Sequence, residues 1–297
     1  MTRRILQLSD GYAFVVSDLQ GNVVDFERTL KLYYECKESG NCKYLLICGD
    51  LIHGYTGYHD ESFSMLQKVI DLCKKDSDII LLMGNHELAH VMHWNLKKRD
   101  YSFTEDLEKQ LQQDRFGYWQ FLHDLPFAVF TKGGLVINHT GPSKALAGKT
   151  NELWDLFFKI NSPWKWYNEL DFEKSFGMLQ DQKDFWNPDF GERTLETAEG
   201  KILWEVFMNK NELQYGEEYY QIVENFLITM NKLAPAKVII SGHIEESEGF
   251  KLVHEKHFRL CSSYGASLDE SKKYLLLPVN KQFNRASELK PFLCSLW

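Results

Sequence analysis

Five short stretches of the chain set Asp, Asn, Gln or His close to glycine: SDLQGN (Ser17–Asn22), CGDLIHG (Cys48–Gly54), GNHE (Gly84–Glu87), NHTGPS (Asn138–Ser143) and SGHI (Ser241–Ile244). Carboxylate, amide oxygen and imidazole are the donors that Mn, Fe and Zn ions accept. Glycine lets the backbone turn tightly and approach a ligand closely. Taken singly, each stretch has a plainer account. Asp18 or Asp50 could cap a following helix, and a lone His139 or His243 is more often a satisfied core histidine. Five such turns in succession point instead to a metal site.

The third stretch can be read twice. From His86 it continues as H-E-x-x-H, a zinc-protease signature when it lies inside a regular helix. It follows the apolar run DIILLM and Gly84, so a helix begins no earlier than that point. We therefore expect His90 to be a supporting or exposed residue, and Glu87 to orient its neighbours rather than activate water.

The elements that must position these turns are legible in the hydrophobic pattern. AFVV, YLLIC and IILLM read as strands, with helical spacing in VVDFERTLKLYYECKE and SFSMLQKVIDLCKK between them. Near-continuous apolar strands alternating with helices imply a sheet buried on both faces with βαβ crossovers. FAVF and GLVIN around TKGG suggest a hairpin. Further on, a helix over EEYYQIVENFLITMNKL leads into AKVIISGH, then a second hairpin from FKLVH and HFRLCSS, then YLLLPV. The expected fold is an α/β sandwich of mixed sheets with helices outside. Each of the five turns follows a strand, and ligands of such sheets bind beyond the carboxyl ends of the strands.

We read residues 1–297 as a single domain carrying a helical insert or cap over 143–215, which holds Trp154, Trp164, Trp166, Trp186 and Trp204. With 44% apolar residues the chain can build a substantial core, so disorder is not expected. Its formal charge of −8 argues against general nucleic-acid binding, and NLKKRD (Asn95–Asp100) is the one compact basic stretch. The N-terminus lacks the apolar stretch of a signal peptide, and no run approaches the ~18 apolar residues that cross a bilayer. The six cysteines form no C-x-x-C pair and read as reduced thiols. We expect a cytoplasmic protein without membrane association.

In this order the five stretches resemble the PPP-type serine/threonine protein phosphatases within the calcineurin-like metallophosphoesterases, whose pattern runs G-D-x-H-G, G-D-x-x-D-R-G, G-N-H-E, H-G-G and a late G-H or R-A-H. The likeness spans roughly Tyr12 to Pro142 and Gly216 to Gly265. It implies a βαβαβ sandwich, and two divalent metal ions, Mn before Fe or Zn. By position, Asp18 and Gln20 would hold one ion, Asp50 would bridge both, and Asn85, His139 and His243 would hold the second. A metal-activated hydroxide would attack phosphorus, and His86 would be the general acid for the departing oxygen. Asn85, His53, Arg99 and Tyr264 are the candidate substrate contacts.

Three departures from the pattern matter. Gln20 replaces a metal-binding His, which predicts a weaker site favouring Mn. His53 and Gly54 stand where the family has Asp, partner of the catalytic His, and Arg, which grips phosphate. That leaves His53 two roles, phosphate donor or partner to His86. The stretch from Trp204 to Gly216 lacks a second family arginine, which Arg99, Arg115 or Arg193 would have to replace. The expected function is a phosphomonoesterase acting on phosphoprotein Ser/Thr or Tyr. The alternatives are a nucleotide or phosphodiester hydrolase, and a pseudophosphatase binding module.

Overall fold

The computed structural model of the protein describes residues 4–54, 60–98, 101–111, 114–147, 186 and 188–297. Its strands, in chain order, are β1 (Ile5–Leu8), β2 (Tyr12–Val16), β3 (Tyr44–Ile47), β4 (Ile79–Leu81), β5 (Lys97–Lys98), β6 (Tyr101–Ser102), β7 (Ala128–Thr131), β8 (Leu135–Asn138), β9 (Val238–Ser241), β10 (Phe250–His254), β11 (His257–Leu260), β12 (Lys273–Pro278) and β13 (Leu293–Ser295). One sheet runs β1-β7-β8-β9-β11-β10 and the other β13-β12-β2-β3-β4, while β5 and β6 pair alone. Both large sheets are mixed. β2, β3 and β4 are parallel, β12 is antiparallel to β2 and β13, and β7–β8 and β10–β11 are the expected hairpins.

Strand period explains the layering. Along β2 and β3, Ala13, Val15, Tyr44 and Leu46 join Val129, Ile137, Val238, Ile240 and Phe258 in the core between the sheets. Their neighbours Phe14, Val16, Leu45 and Ile47 face outward and are buried by helices, because alternate side chains of a strand point to opposite faces. The covering helices include α1 (Val23–Glu38) and α2 (Ser62–Lys75), which supply Phe26, Leu30 and Tyr33, and Met65, Leu66 and Val69. α1 begins where the Asn22 side chain accepts the Asp25 N–H, an N-cap bond typically worth about 1 kcal/mol. Burying each large apolar side chain contributes roughly 1.5–3 kcal/mol, so the four-layer stack anchors the strand ends that carry the turns.

Shorter helices stand around those ends: α3 (Asn85–Val91), α4 (Phe103–Gln110) and α5 (Arg115–His123). Later come α6 (Pro188–Glu196), α7 (Ala198–Phe207) and α8 (Tyr219–Met230). Trp154, Trp164 and Trp166 lie outside the described residues. The described end of the Trp-rich stretch is helical and packs on the body. Trp94 Nε1 donates to Thr194 Oγ1 at 2.8 Å, Trp204 meets Trp94 edge-on, and Trp186 stacks on His93. Sequence reasoning overlooked β1 and β13, which are short edge strands without a clean apolar run.

Candidate metal centre

The turns converge at the carboxyl ends of β2, β3, β4, β8 and β9. Asp18, Gln20, Asp50, His53 and His243 all adopt positive φ. That left-handed backbone costs a non-glycine residue of order 1–3 kcal/mol and persists only where surrounding structure holds it. Here the turns brace one another. Gln20 N–H donates to the Asp50 carbonyl at 2.9 Å, Gly21 N–H to Leu51 at 2.8 Å, and Gly242 N–H to His139 at 2.8 Å. Glu87, fully buried, accepts the N–H groups of Asp50, Leu51 and Gly84, so it does orient its neighbours. A side chain at position 84 would come within 2.3 Å of Asp50 Oδ1, which is why glycine precedes Asn85.

Four donors face one another inside this frame. The ligand atoms of Asp50, His139 and His243 lie within 4.8 Å of each other. Asn85 Oδ1 sits between them, 2.9 Å from His139 Nε2 and 2.9 Å from His243 Nδ1. The opposite nitrogen of each ring is taken by a backbone carbonyl: His139 Nδ1 by Cys48 at 2.8 Å, and His243 Nε2 by Asn209. A carbonyl can only accept, so both rings turn a lone pair inward when neutral. Turning the Asn85 amide would let its NH2 reach Asp50 at 3.2 and 3.3 Å and both rings at 2.9 Å. A divalent cation satisfies the same lone pairs with the amide as it stands. Rings fixed from behind by carbonyls are the arrangement metal-ligating histidines adopt.

Asp18 and Gln20 sit differently. Asp18 stands outside that cluster, and its carboxylate accepts the His243 N–H at 3.1 Å and the Ser17 hydroxyl. Gln20 Nε2 donates to Asp50 Oδ2 at 3.4 Å. Its Oε1 is buried without a hydrogen bond among the described residues, which suits an oxygen donor to a cation.

The charges are coupled through burial. Burial pushes the Asp18 carboxyl up to about 7, with His139 pulling back and Asp50 adding to the rise. Burial also works against the Asp50 carboxylate, but His139 and His86 overrule it and hold it well below the usual range. Burial would lower His139, yet Asp50 at 3.2 Å holds it up at about 9. His243 is pushed down by burial, and further by His139, to about 3.

His86 lies beside this group, its Nε2 3.7 Å from Asp50 Oδ2, and its backbone N–H donates to Asp50 Oδ1 at 3.1 Å. Burial lowers its pKa against the pull of Asp50. His86 and His90 do share a face of α3, as H-E-x-x-H spacing requires, but the His53 ring fills the gap between them. His53 Nδ1 is 3.0 Å from His86 Nδ1, and its Nε2 is 2.8 Å from His90 Nε2. The zinc-protease reading fails on this contact. His90 is buried rather than exposed, and it bonds Glu108 of α4 at 2.6 Å. Sequence reasoning missed Glu108. The i, i+4 spacing of His86 and His90 was the available signal for His90.

Among the candidate substrate contacts, Tyr264 is half-buried and donates its N–H to the Asp18 carbonyl at 3.2 Å. Arg99 and the Arg115 side chain lie outside the described residues. Arg193 lies over the Phe190 ring on its own helix. Arg259 is clasped by Glu212 and Glu246, so it is committed to structure rather than to phosphate.

A family model described as calcineurin-like phosphoesterase matches residues 13–246. No curated protein matches this chain. A serine/threonine protein phosphatase from Saccharomyces cerevisiae is 16% identical with a TM-score of 0.54, over 93% of this chain and 77% of that one. A cold-active protein-tyrosine phosphatase from a psychrophilic Shewanella species is 16% identical with a TM-score of 0.55, over 94% and 78%. At such identity the two share its fold.

Proposed function

The chain belongs to the calcineurin-like phosphoesterase family and is a metal-dependent phosphoesterase; on that premise we propose that it is a phosphatase of the PPP type, hydrolysing phosphomonoesters on phosphoprotein Ser/Thr or Tyr residues. The observation that carries the reading is the convergence of Asp50, Asn85 Oδ1, His139 Nε2 and His243 Nδ1 on one buried point. These four would hold one ion. Asp18 and Gln20 Oε1, which has no hydrogen bond among the described residues, would with Asp50 hold a second. Bound divalent ions supply Lewis acidity, which lowers the pKa of water and offsets phosphoryl charge. The mix of carboxylate, amide and imidazole donors favours Mn, with Fe or Zn next.

The protein's own contribution is proton delivery and orientation. His86 Nε2 faces the Asp50 side of the site and is placed to give its proton to the departing oxygen, a role worth roughly 10²–10⁴ in rate. The phosphoprotein substrate is supported by the fold shared with the yeast and Shewanella phosphatases. His53 and Gly54, in place of the Asp-Arg of the resemblance, favour a second reading, a small phosphoester such as a nucleotide.

The test is hydrolysis of p-nitrophenyl phosphate by metal-stripped protein with and without Mn²⁺, beside Asp50→Asn and His86→Asn, followed by phosphopeptide and nucleotide panels. We expect Mn²⁺-dependent turnover lost in both variants and phosphopeptides preferred. Nucleotide preference would move the assignment to the second reading. Metal binding without turnover would make the protein a pseudophosphatase.

A further inference from the structure

The three histidines beside the metal centre form a chain that ends on a carboxylate: His86 Nδ1 to His53 Nδ1, His53 Nε2 to His90 Nε2, and His90 Nδ1 to Glu108 Oε1. All four side chains are buried. Phe103, from α4, stacks on His53 and leans on His86, which screens the chain with an aromatic ring. His53 is held in place by its own backbone, whose N–H donates to Ser62 Oγ at 2.7 Å.

A neutral imidazole carries one N–H and one lone pair, so a chain of three rings can run in only two directions. The carboxylate chooses between them. A carboxylate oxygen accepts, so His90 donates from Nδ1 to Glu108 and presents a lone pair at Nε2. His53 must then donate from Nε2 and accept at Nδ1, and His86 must donate from Nδ1. His86 Nε2 is then the nitrogen on the Asp50 side of the ring. We infer that Glu108 is a positioning residue which, through His90 and His53, fixes which nitrogen of His86 faces the metal centre.

This rests on the proposed role of His86. In that role the imidazolium gives its Nε2 proton to the departing oxygen, the bond from that oxygen to phosphorus breaks, and His86 returns to its neutral Nδ1–H form. A new proton then comes from water. Throughout, His86 keeps its Nδ1–H and donates it to His53 Nδ1. Burial and the rings of His86 and His90 hold His53 well below the usual imidazole pKa, so the middle ring stays neutral and passes on orientation rather than charge. A carboxylate beside a catalytic imidazole fixes its tautomer in hydrolytic triads. Here the carboxylate acts from two rings away.

The length of side chains supplies the test. Nδ1 of His and Oδ1 of Asp are the same number of bonds from Cα, so His53→Asp places a carboxylate directly against His86 Nδ1 and makes Glu108 dispensable. Two measurements on the full chain decide the matter. Long-range ¹H–¹⁵N spectra at neutral pH should show His86 and His90 protonated at Nδ1 and His53 at Nε2, and Glu108→Gln should scramble that pattern. In Mn²⁺-loaded protein, Glu108→Gln should lower kcat for phenyl phosphate about 10²-fold. It should lower kcat far less for p-nitrophenyl phosphate, a better leaving group, with KM unchanged. In the His53→Asp background, Glu108→Gln should cost neither substrate. Equal losses on both substrates, no rescue by His53→Asp, or tautomers indifferent to Glu108 would each overturn the proposal. Wild-type spectra as expected, without turnover of any phosphoester, would support the ordered chain and remove the phosphatase reading.

Discussion

The Glu87 carboxylate receives the backbone N–H of Asp50 at 2.9 Å, and with it those of Leu51 at 2.9 Å and Gly84 at 3.0 Å. One side chain from α3 thereby holds the turn after β3 in its left-handed form and fixes where the Asp50 carboxylate points. Burial and the nearby Asp50 charge push the Glu87 carboxyl up to about 7, so the arrangement is costly and serves the site. Glu87→Gln keeps one acceptor oxygen and turns an NH2 against at least one N–H. It should lose roughly 1–3 kcal/mol of stability and weaken Mn²⁺ binding by about 10–100-fold. Urea unfolding and a metal titration measure both, and an unchanged affinity would mean that Asp50 does not need this brace.

Metal binding should be coupled to His139. Its folded pKa, held up at about 9 by Asp50, exceeds the ordinary value near 6.5. Its contribution to the stability of the metal-free fold is therefore full below about 6.5 and lost as pH rises through about 9. An ion needs the Nε2 lone pair, so it must displace that proton. Mn²⁺ affinity should rise with pH across this window, by up to about tenfold per unit. Calorimetry in buffers of different ionisation heat should register proton release near neutrality. A pH-independent affinity would remove His139 from the ligand set.

Acid should unfold the protein early. Burial pushes His93 down to about 4 and holds His257, wedged between Tyr219 and Ser241, well below the usual imidazole value. Groups with depressed folded pKa contribute stability above the unfolded value, near 6.5, that is lost as pH falls towards the folded one. Each such ring costs roughly 2 kcal/mol at pH 5. Thermal melting of metal-free protein should therefore drop by several degrees between pH 7 and pH 5. A flat profile would show that these rings take up protons in the folded state.

The sequence carried most of the frame and the cluster of turns, for separable reasons. Strand period and helical spacing are local, so β2, α1, β3, α2 and β4 could be read directly, as could the paired hairpins. The turns are local too, since each needs its own glycine beside its own polar residue. The histidine chain is not local. Glu108 reaches His90 across eighteen positions of sequence, and His53 meets His86 across thirty-three. Only the packing of α3 against α4 and the turn after β3 brings those rings together. Asn209, whose carbonyl takes the far nitrogen of His243, was invisible for the same reason: any residue can offer a carbonyl.

Gln20 offers the sharpest test of the second ion. Its Oε1 has no hydrogen bond among the described residues, and its φ is 40°. Histidine tolerates that left-handed backbone better than most residues, so Gln20→His should fold. An imidazole binds borderline-soft ions more strongly than a neutral amide oxygen does. If Gln20 is a ligand, the variant should bind a second equivalent of metal more tightly than the wild type, with a larger gain for Zn²⁺ than for Mn²⁺. A metal titration followed by elemental analysis of the loaded protein measures stoichiometry and affinity together. Wild-type and variant curves that superimpose would place Gln20 outside the metal centre and leave Asp50, Asn85, His139 and His243 as a single-ion site.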